Sequence, residues 1–261
     1  MTVKTFFYGL AASFAIPWLI MVVIPYGSMS SMANPEYDEN KDEKTGTFQP
    51  LHSGRVGSGS LIYAQEGCTM CHSQLTRPTY AGNDVFRDGQ GGFKADPERG
   101  DTRRITNYMD FEGEAMANIG ETRMGPDLGN FGSRVAFKAF EADTELAKEL
   151  GVDVSELGDK SFNKELYVYQ HLFDPRMFIV NAKKSNCPKN SRFFDKKKVY
   201  GQGAADAVYV KDGYQYVPND RGRIVANYLL NLKRDGDVPV SMIYNKAKLL
   251  KPAAAKKEAK Q

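Results

Sequence analysis

The chain has 261 residues, with 35 basic and 32 acidic side chains and a net charge of +3. That length holds one substantial domain plus an anchor, and so small a charge difference excludes the whole-chain field that marks a nucleic-acid binder. The aromatic residues are not interleaved with basic ones into a base-stacking platform, so no nucleic-acid partner is expected.

Phe6 to Tyr26, "FFYGLAASFAIPWLIMVVIPY", carries no charged residue over 21 positions. This is close to the ~20 residues that cross a hydrocarbon core as a helix. Pro17 and Pro25 would kink or end a soluble helix, but a membrane helix tolerates them. Trp18 falls near mid-span, where it would pack on a partner helix. Lys4 precedes the span and the acidic stretch "PEYDENKDE" follows it, so the positive-inside rule places the start in the cytoplasm and the remainder outside. The competing reading is a cleaved signal peptide ending near "SMSSMA"; the apolar run is longer than the 7–15 residues usual for one. Residues 1–26 are thus expected to be a transmembrane anchor lying in the bilayer. Residues 27–57, rich in Ser, Asn, Asp, Glu, Lys and Pro, read as a tether.

A core domain is expected over 58–236. Its first helix runs through "SGSLIYAQEGC" and delivers a pair of cysteines. "GNDVFRDGQGGFKADPERGDTRR" reads as a long partner-facing loop within a 79–122 insertion. "FKAFEADTELAKELGVDVSELGDKSFNKELYVYQHLF" reads as two helices parted near Gly151, with Tyr167, Val168 and Leu172 turned inward on the second. Val and Tyr alternate about "KDG" in "VYGQGAADAVYVKDGYQYVPNDRG", which predicts a small β-hairpin in a second insertion, 193–220. "DRGRIVANYLLNLKRDG" is an amphipathic helix closed by a glycine, with Ile224, Val225, Tyr228, Leu229 and Leu232 on one face. It should cross the first helix near Gly59 and Tyr63. The basic tail, 237–261, reads as solvated and without fixed structure.

The chemistry lies in "EGCTMCHSQLTRP", residues 66–78. Cys-X-X-Cys-His is the attachment signature of a c-type haem. The thiols of Cys68 and Cys71 add to the porphyrin vinyl groups and the imidazole of His72 reaches the iron. A zinc site would need further ligands at short spacing, and His52, His171 and Cys187 are scattered. A thioredoxin-like pair would need a βαβ pattern, and a disulfide across so tight a spacing is poor geometry. One covalently bound haem c is therefore expected. Such a histidine needs its Nδ1–H held by an acceptor. "RMGPDLGNFGSR" offers one: Pro126 makes a rigid turn, and Gly125, Gly129 and Gly132 let backbone approach the haem face. Arg77 is the candidate partner for a haem propionate, with a surface salt bridge as the competing reading, and Tyr63 is counted among the haem-binding residues.

"GSLIYAQEGCTMCHSQLTRP", "RMGPDLGNFGSR", "HLFDPR", "SNCP" and "IVANYLLNL" stand in the order seen in class I cytochromes c. "CHSQ…RP", "GPDL" and "HLFDPR" resemble the membrane-anchored mono-haem subunit (subunit II) of cbb-type haem–copper cytochrome c oxidases. The match covers about residues 59–78, 123–134, 166–188 and 221–232. The resemblance implies a mainly α fold: one N-terminal transmembrane helix and a cytochrome c domain with loop insertions and a small β-hairpin. It implies a bacterial inner-membrane location with the haem domain on the periplasmic side. The partners would be a membrane-embedded catalytic subunit and other cytochrome subunits of a respiratory complex, to which single electrons pass.

Where that family has "SNMP", whose methionine binds iron opposite the histidine, this chain has "SNCP". Four side chains are open for that position. Cys187 occupies the motif; Met177 is a nearby thioether; Met124 and His171 complete the set, and an open or water-ligated iron is the remaining state. A thiolate would lower the reduction potential, whereas methionine raises it. Two function classes follow besides a free shuttle between partners. One is a non-catalytic electron-transfer subunit. The other is a His/Cys-ligated haem enzyme, or redox half, for thiosulfate-like sulfur chemistry, with Lys183, Lys184, Lys189 and Arg192 drawn about Cys187.

Overall fold

In the computed structural model the described residues are 2–30, 53–97, 99–111, 114–178 and 183–236. Most of the expected tether, the C-terminal tail and His52 lie outside them. The chain divides into two units, Met1–Asn40 and Lys41–Gln261.

The first unit is one apolar rod. Helix α1, Val3–Trp18, continues through a π-helical turn, Leu19–Val23, into α2, Ile24–Ser30. By length and composition, residues 3–30 suffice to cross a membrane, with a mean hydropathy of 2.1. Pro17 and Pro25 bracket the π turn. Neither can donate an amide hydrogen, and the break in the ladder is taken up as a widened turn inside a continuous helix. The rod runs four residues beyond Tyr26, into the stretch expected to be tether.

The second unit mixes helices with irregular backbone and a small sheet, and is built on one helix crossing. Helix α3, Gly54–Gln65, meets α7, Asp220–Leu230, at Gly59. A Cβ on Gly59 would sit 2.5 Å from the Tyr228 Cβ and 2.8 Å from the Ile224 carbonyl. The Tyr63 and Tyr228 rings lie 5.6 Å apart beside this crossing. Val56, Ile62, Val225 and Leu229 complete its apolar face, each large side chain contributing about 1.5–3 kcal/mol on burial. The α7 helix stops at Leu230, capped by Asn231, well short of the glycine expected to close it. The reason is tertiary: Arg234 turns inward, stacks 4.2 Å over Phe111 and pairs with Glu114 at 2.6 Å.

Helix α4, Phe131–Leu150, ends at Gly151, whose φ of 66° supplies the left-handed cap. Its start is locked to the end of α7, because the Gly132 amide donates to the Leu232 carbonyl at 2.8 Å and the Gly132 Cα packs on Leu230. The close approach of Gly132 therefore serves helix packing, not the site face assigned to it from sequence. Helix α5, Lys164–Phe173, is capped by Asn163 and buries Val168, Tyr169, Leu172 and Phe173; Tyr167 is only half-buried. A short helix α6, Pro175–Phe178, follows.

The predicted hairpin is present, with one strand more than expected. Strands β1 (Phe194–Lys198), β2 (Tyr209–Lys211) and β3 (Tyr214–Pro218) form an antiparallel sheet in the order β1-β3-β2. Asp212 and Gly213 both take positive φ, the type I′ geometry that matches strand twist. Strand β1, "FDKKK", has a single apolar residue and no alternation to betray it.

The 82–104 segment folds inward instead of projecting as a loop. Asp84 and Val85 are fully buried and Phe93 nearly so. Thr102 and Arg104 amides donate to the Phe93 and Gly91 carbonyls, closing a small ribbon. Arg99 pairs with buried Asp235 at 2.9 Å, and Arg104 pairs with Asp110, so part of the segment's charge is tied to the domain, while Arg87, Asp88 and Lys94 stay exposed. Replacing Gly59 with alanine is expected to push α3 off α7 and cost about 1–3 kcal/mol, read as a lowered thermal midpoint with unchanged helical circular dichroism below it.

Candidate functional site

Beyond α3 the backbone passes through Glu66 and Gly67, the latter at φ 74°, into a 3₁₀ turn at Cys68–Met70. The His72 amide donates to the Cys68 carbonyl at 3.0 Å. One turn thus gathers Cys68, Cys71 and His72, and both thiols are free. Burial pushes the Cys68 thiol up to about 12, with Cys187 and Glu66 adding to the rise. A free thiol so shifted stays protonated and is a poor partner for disulfide exchange.

A second stretch, 119–128, is stitched to the first. Backbone bonds run from Gln74 to Ile119, Glu121 to Thr69, Gly125 to Cys71 and Leu128 to Ser73, all between 2.8 and 3.0 Å. Asp127 binds the pair at its far end, accepting from the Ser73 hydroxyl and the Leu75 amide at 2.8 Å each. At the centre, His72 Nδ1 lies 2.9 Å from the Pro126 carbonyl oxygen. A carbonyl can only accept, so Nδ1 carries the hydrogen and Nε2 presents its lone pair outward. The Gly125 Cα lies flat against the ring: a Cβ there would collide with Cε1 and stand 2.5 Å from Nδ1. Backbone of residues 125 and 126 therefore fixes both the tilt and the tautomer of the imidazole.

The remaining sequence-predicted residues fall in different places. Arg77 is held by Asp84, with Nε 2.9 Å from a carboxylate oxygen that Arg123 also approaches at 2.7 Å. Burial of Asp84 works against its charge, but hydrogen bonds from Arg77 and Arg123 hold its carboxyl down near about 2. Tyr63 is 1% exposed in the α3/α7 core, where burial drives its hydroxyl well above the usual tyrosine range. Met124 and Met177 stand 71% and 48% exposed. Cys187, on the irregular stretch after α6, is half-buried, and its amide donates to the Ser185 hydroxyl at 3.1 Å. Burial raises its thiol, and the neighbouring Cys71 raises it further. The Cys187 sulfur is therefore close enough to feel Cys68 and Cys71.

Of the cations expected about Cys187, Lys189 sits 4.3 Å over the Phe173 ring and Arg192 pairs with Glu66 at 2.6 Å. Two further cations stand on α4, and sequence reasoning missed both. Arg134 donates to the Gly89 and Asp127 carbonyls at 3.0 and 2.6 Å. Lys138 lies 4.5 Å over Tyr167. With Asp88, Phe93 and Phe131 they line a cleft of about 420 Å³. Their positions four apart on α4, after "GNFG", were the available signal. His171, on α5, also borders this region. Burial, then Lys138, His72 and Arg134, lower its pKa to about 4.

The donor set can hold a haem: two free thiols for thioether bonds and an oriented imidazole with a bare Nε2. Among the described residues, no group of three or more His, Cys, Asp or Glu side chains is arranged to cage a metal ion. No family model matches the chain, and no curated protein matches it.

The depressed carboxyl of Asp84 stabilises the fold above the unfolded-state value near 3.8, and that contribution fades as pH falls towards about 2. Asp84→Asn should cost about 2 kcal/mol near neutral pH and almost nothing near pH 2, measured as urea midpoints across that range; the figure allows for the partial exposure of both arginines.

Proposed function

We propose that this chain is a membrane-anchored mono-haem c-type cytochrome, which passes single electrons within a respiratory membrane complex of the oxidase type. The observation that carries the reading is the bond between His72 Nδ1 and the Pro126 carbonyl, 2.9 Å long, beside the free thiols of Cys68 and Cys71. A histidine that follows Cys-X-X-Cys and is so held has the tautomer and the orientation an iron ligand needs. Cys68 and Cys71 would anchor the porphyrin, His72 would ligate its iron, and the haem would supply one-electron redox chemistry. Arg77, which stays partly exposed beside Asp84, would be the partner for a haem propionate.

Cys187 is the soft donor proposed for the opposite side of the iron. Burial alone favours its thiol, so ligation relies on the charge of the metal to keep the sulfur ionised. A thiolate there would give a low potential. For the sulfur-enzyme alternative, two of the four cations named about Cys187 are engaged elsewhere, Lys189 over Phe173 and Arg192 with Glu66, while Lys183 and Lys184 are exposed. With residues 3–30 as the span, the haem domain would stand on the periplasmic side, facing a membrane-embedded catalytic subunit and other cytochromes.

Expressed with a c-type maturation system, the chain should gain the mass of one haem and give the pyridine haemochrome spectrum of two thioether links. Cys68→Ser with Cys71→Ser should abolish covalent attachment. In the ferric protein a thiolate charge-transfer band should vanish on Cys187→Ala; a methionine-type spectrum that survives the substitution would move the ligand to Met177. Lack of covalent haem in the matured wild-type chain would overturn the function.

A further inference from the structure

The cleft of about 420 Å³ along α4 has no part in the function just proposed. Arg134 lines it, and backbone holds its guanidinium in place: Nη1 donates to the Gly89 carbonyl at 3.0 Å and Nη2 to the Asp127 carbonyl at 2.6 Å. Gly89, at φ 66°, closes over the arginine stem, where a Cβ would stand 2.6 Å from Cγ and 2.8 Å from Cδ. The two carbonyls use only part of the donor fork and bring no negative charge. Among the described residues, no carboxylate lies within ion-pair distance of Arg134. Burial pushes the guanidinium below its ordinary value, with Asp127 and Tyr167 working the other way. A half-buried cation without a counter-charge is unfavourable until an anion meets it. Lys138 stands one turn further on, with Nζ 4.5 Å over the Tyr167 ring. The walls are flat and apolar: the Phe93 and Phe137 rings stack at 4.4 Å, and Phe131 lies 5.8 Å from the Arg134 guanidinium carbon. Two exposed carboxylates, Asp88 and Glu141, complete the lining.

We propose that this cleft binds a small monocarboxylate with a flat apolar body, its carboxylate on Arg134 and Lys138 and its body among the aromatic rings. A guanidinium presents paired donors that match the two oxygens of a carboxylate. The volume falls at the low end of the ~300–1,000 Å³ usual for ligand sites, which limits the occupant to a small molecule. Asp88 and Glu141 repel a second negative charge, so dicarboxylates and phosphates are disfavoured. None of Cys68, Cys71 and His72 lines the cleft, and the site stands or falls apart from the covalent-haem reading.

The test is isothermal calorimetry of benzoate titrated into the full-length, matured protein in detergent, with empty micelles as the blank. Benzoate should bind at one saturable site, and benzyl alcohol and phthalate should both bind more weakly. Arg134→Gln should weaken benzoate about tenfold or more. Because Arg134 also holds two backbone segments, Lys138→Glu on the exposed rim gives a second reading: it should weaken benzoate several-fold and leave benzyl alcohol unchanged. Wild-type protein that takes up no benzoate overturns the proposal, which is the result expected if a haem propionate already holds Arg134. Benzoate binding that is unchanged in either folded variant, or matched by benzyl alcohol or phthalate, overturns it too.

Discussion

The seam between residues 69–76 and 119–128 is the constraint on which the site depends. Four backbone bonds, and two more to the Asp127 carboxylate at one end, hold two segments of irregular backbone in register. Irregular backbone in a domain interior must pair its amides and carbonyls somewhere, and here each segment is the other's partner. The His72 imidazole sits in the middle of that seam, with the Gly125 backbone against its face and the Pro126 carbonyl on Nδ1. The orientation of the key ring is thus set by main chain, which a rotamer change cannot undo.

The seam is in turn carried by the α3/α7 crossing. Helix α3 delivers the cysteines, and α7 pins α3 where Gly59 lets the two backbones meet. The end of α7 then fixes α4 through Gly132 and Leu232, so the helix carrying Arg134 and Lys138 is referred to the same frame. Around this frame the charged 82–104 segment is packed by ion pairs to Asp84, Asp110 and Asp235. Buried pairs of this kind add little net stability but are costly to break singly, which favours one arrangement of a segment short of apolar residues.

Much of this was legible in the sequence because the signals were local. The apolar N-terminal run, the Cys-X-X-Cys-His turn, the "KDG" hairpin and the amphipathic face of α7 each follow from periodicity or turn chemistry within a dozen residues. Strand β1 escaped because its pairing with β3 depends on a partner some twenty residues away, and "FDKKK" carries no alternation. The inward fold of 82–104 escaped for a similar reason: Gly, Asp and Arg read as solvated until Asp235 and Arg123 are brought to them. Arg77 could be read as a propionate partner or as half of a surface salt bridge, and only the fold placed Asp84 beside it.

By itself, the sequence determined that the chain has one membrane-length apolar segment and one turn bearing two cysteines and a histidine, since covalent spacing and side-chain polarity act over a few residues. The tertiary structure alone decided which carbonyl holds His72, which cations line the cleft, and that Cys187 lies by the cysteine pair. Those are distances between segments tens of residues apart, fixed by helix packing and by the pairing of buried polar groups, and no local pattern encodes them.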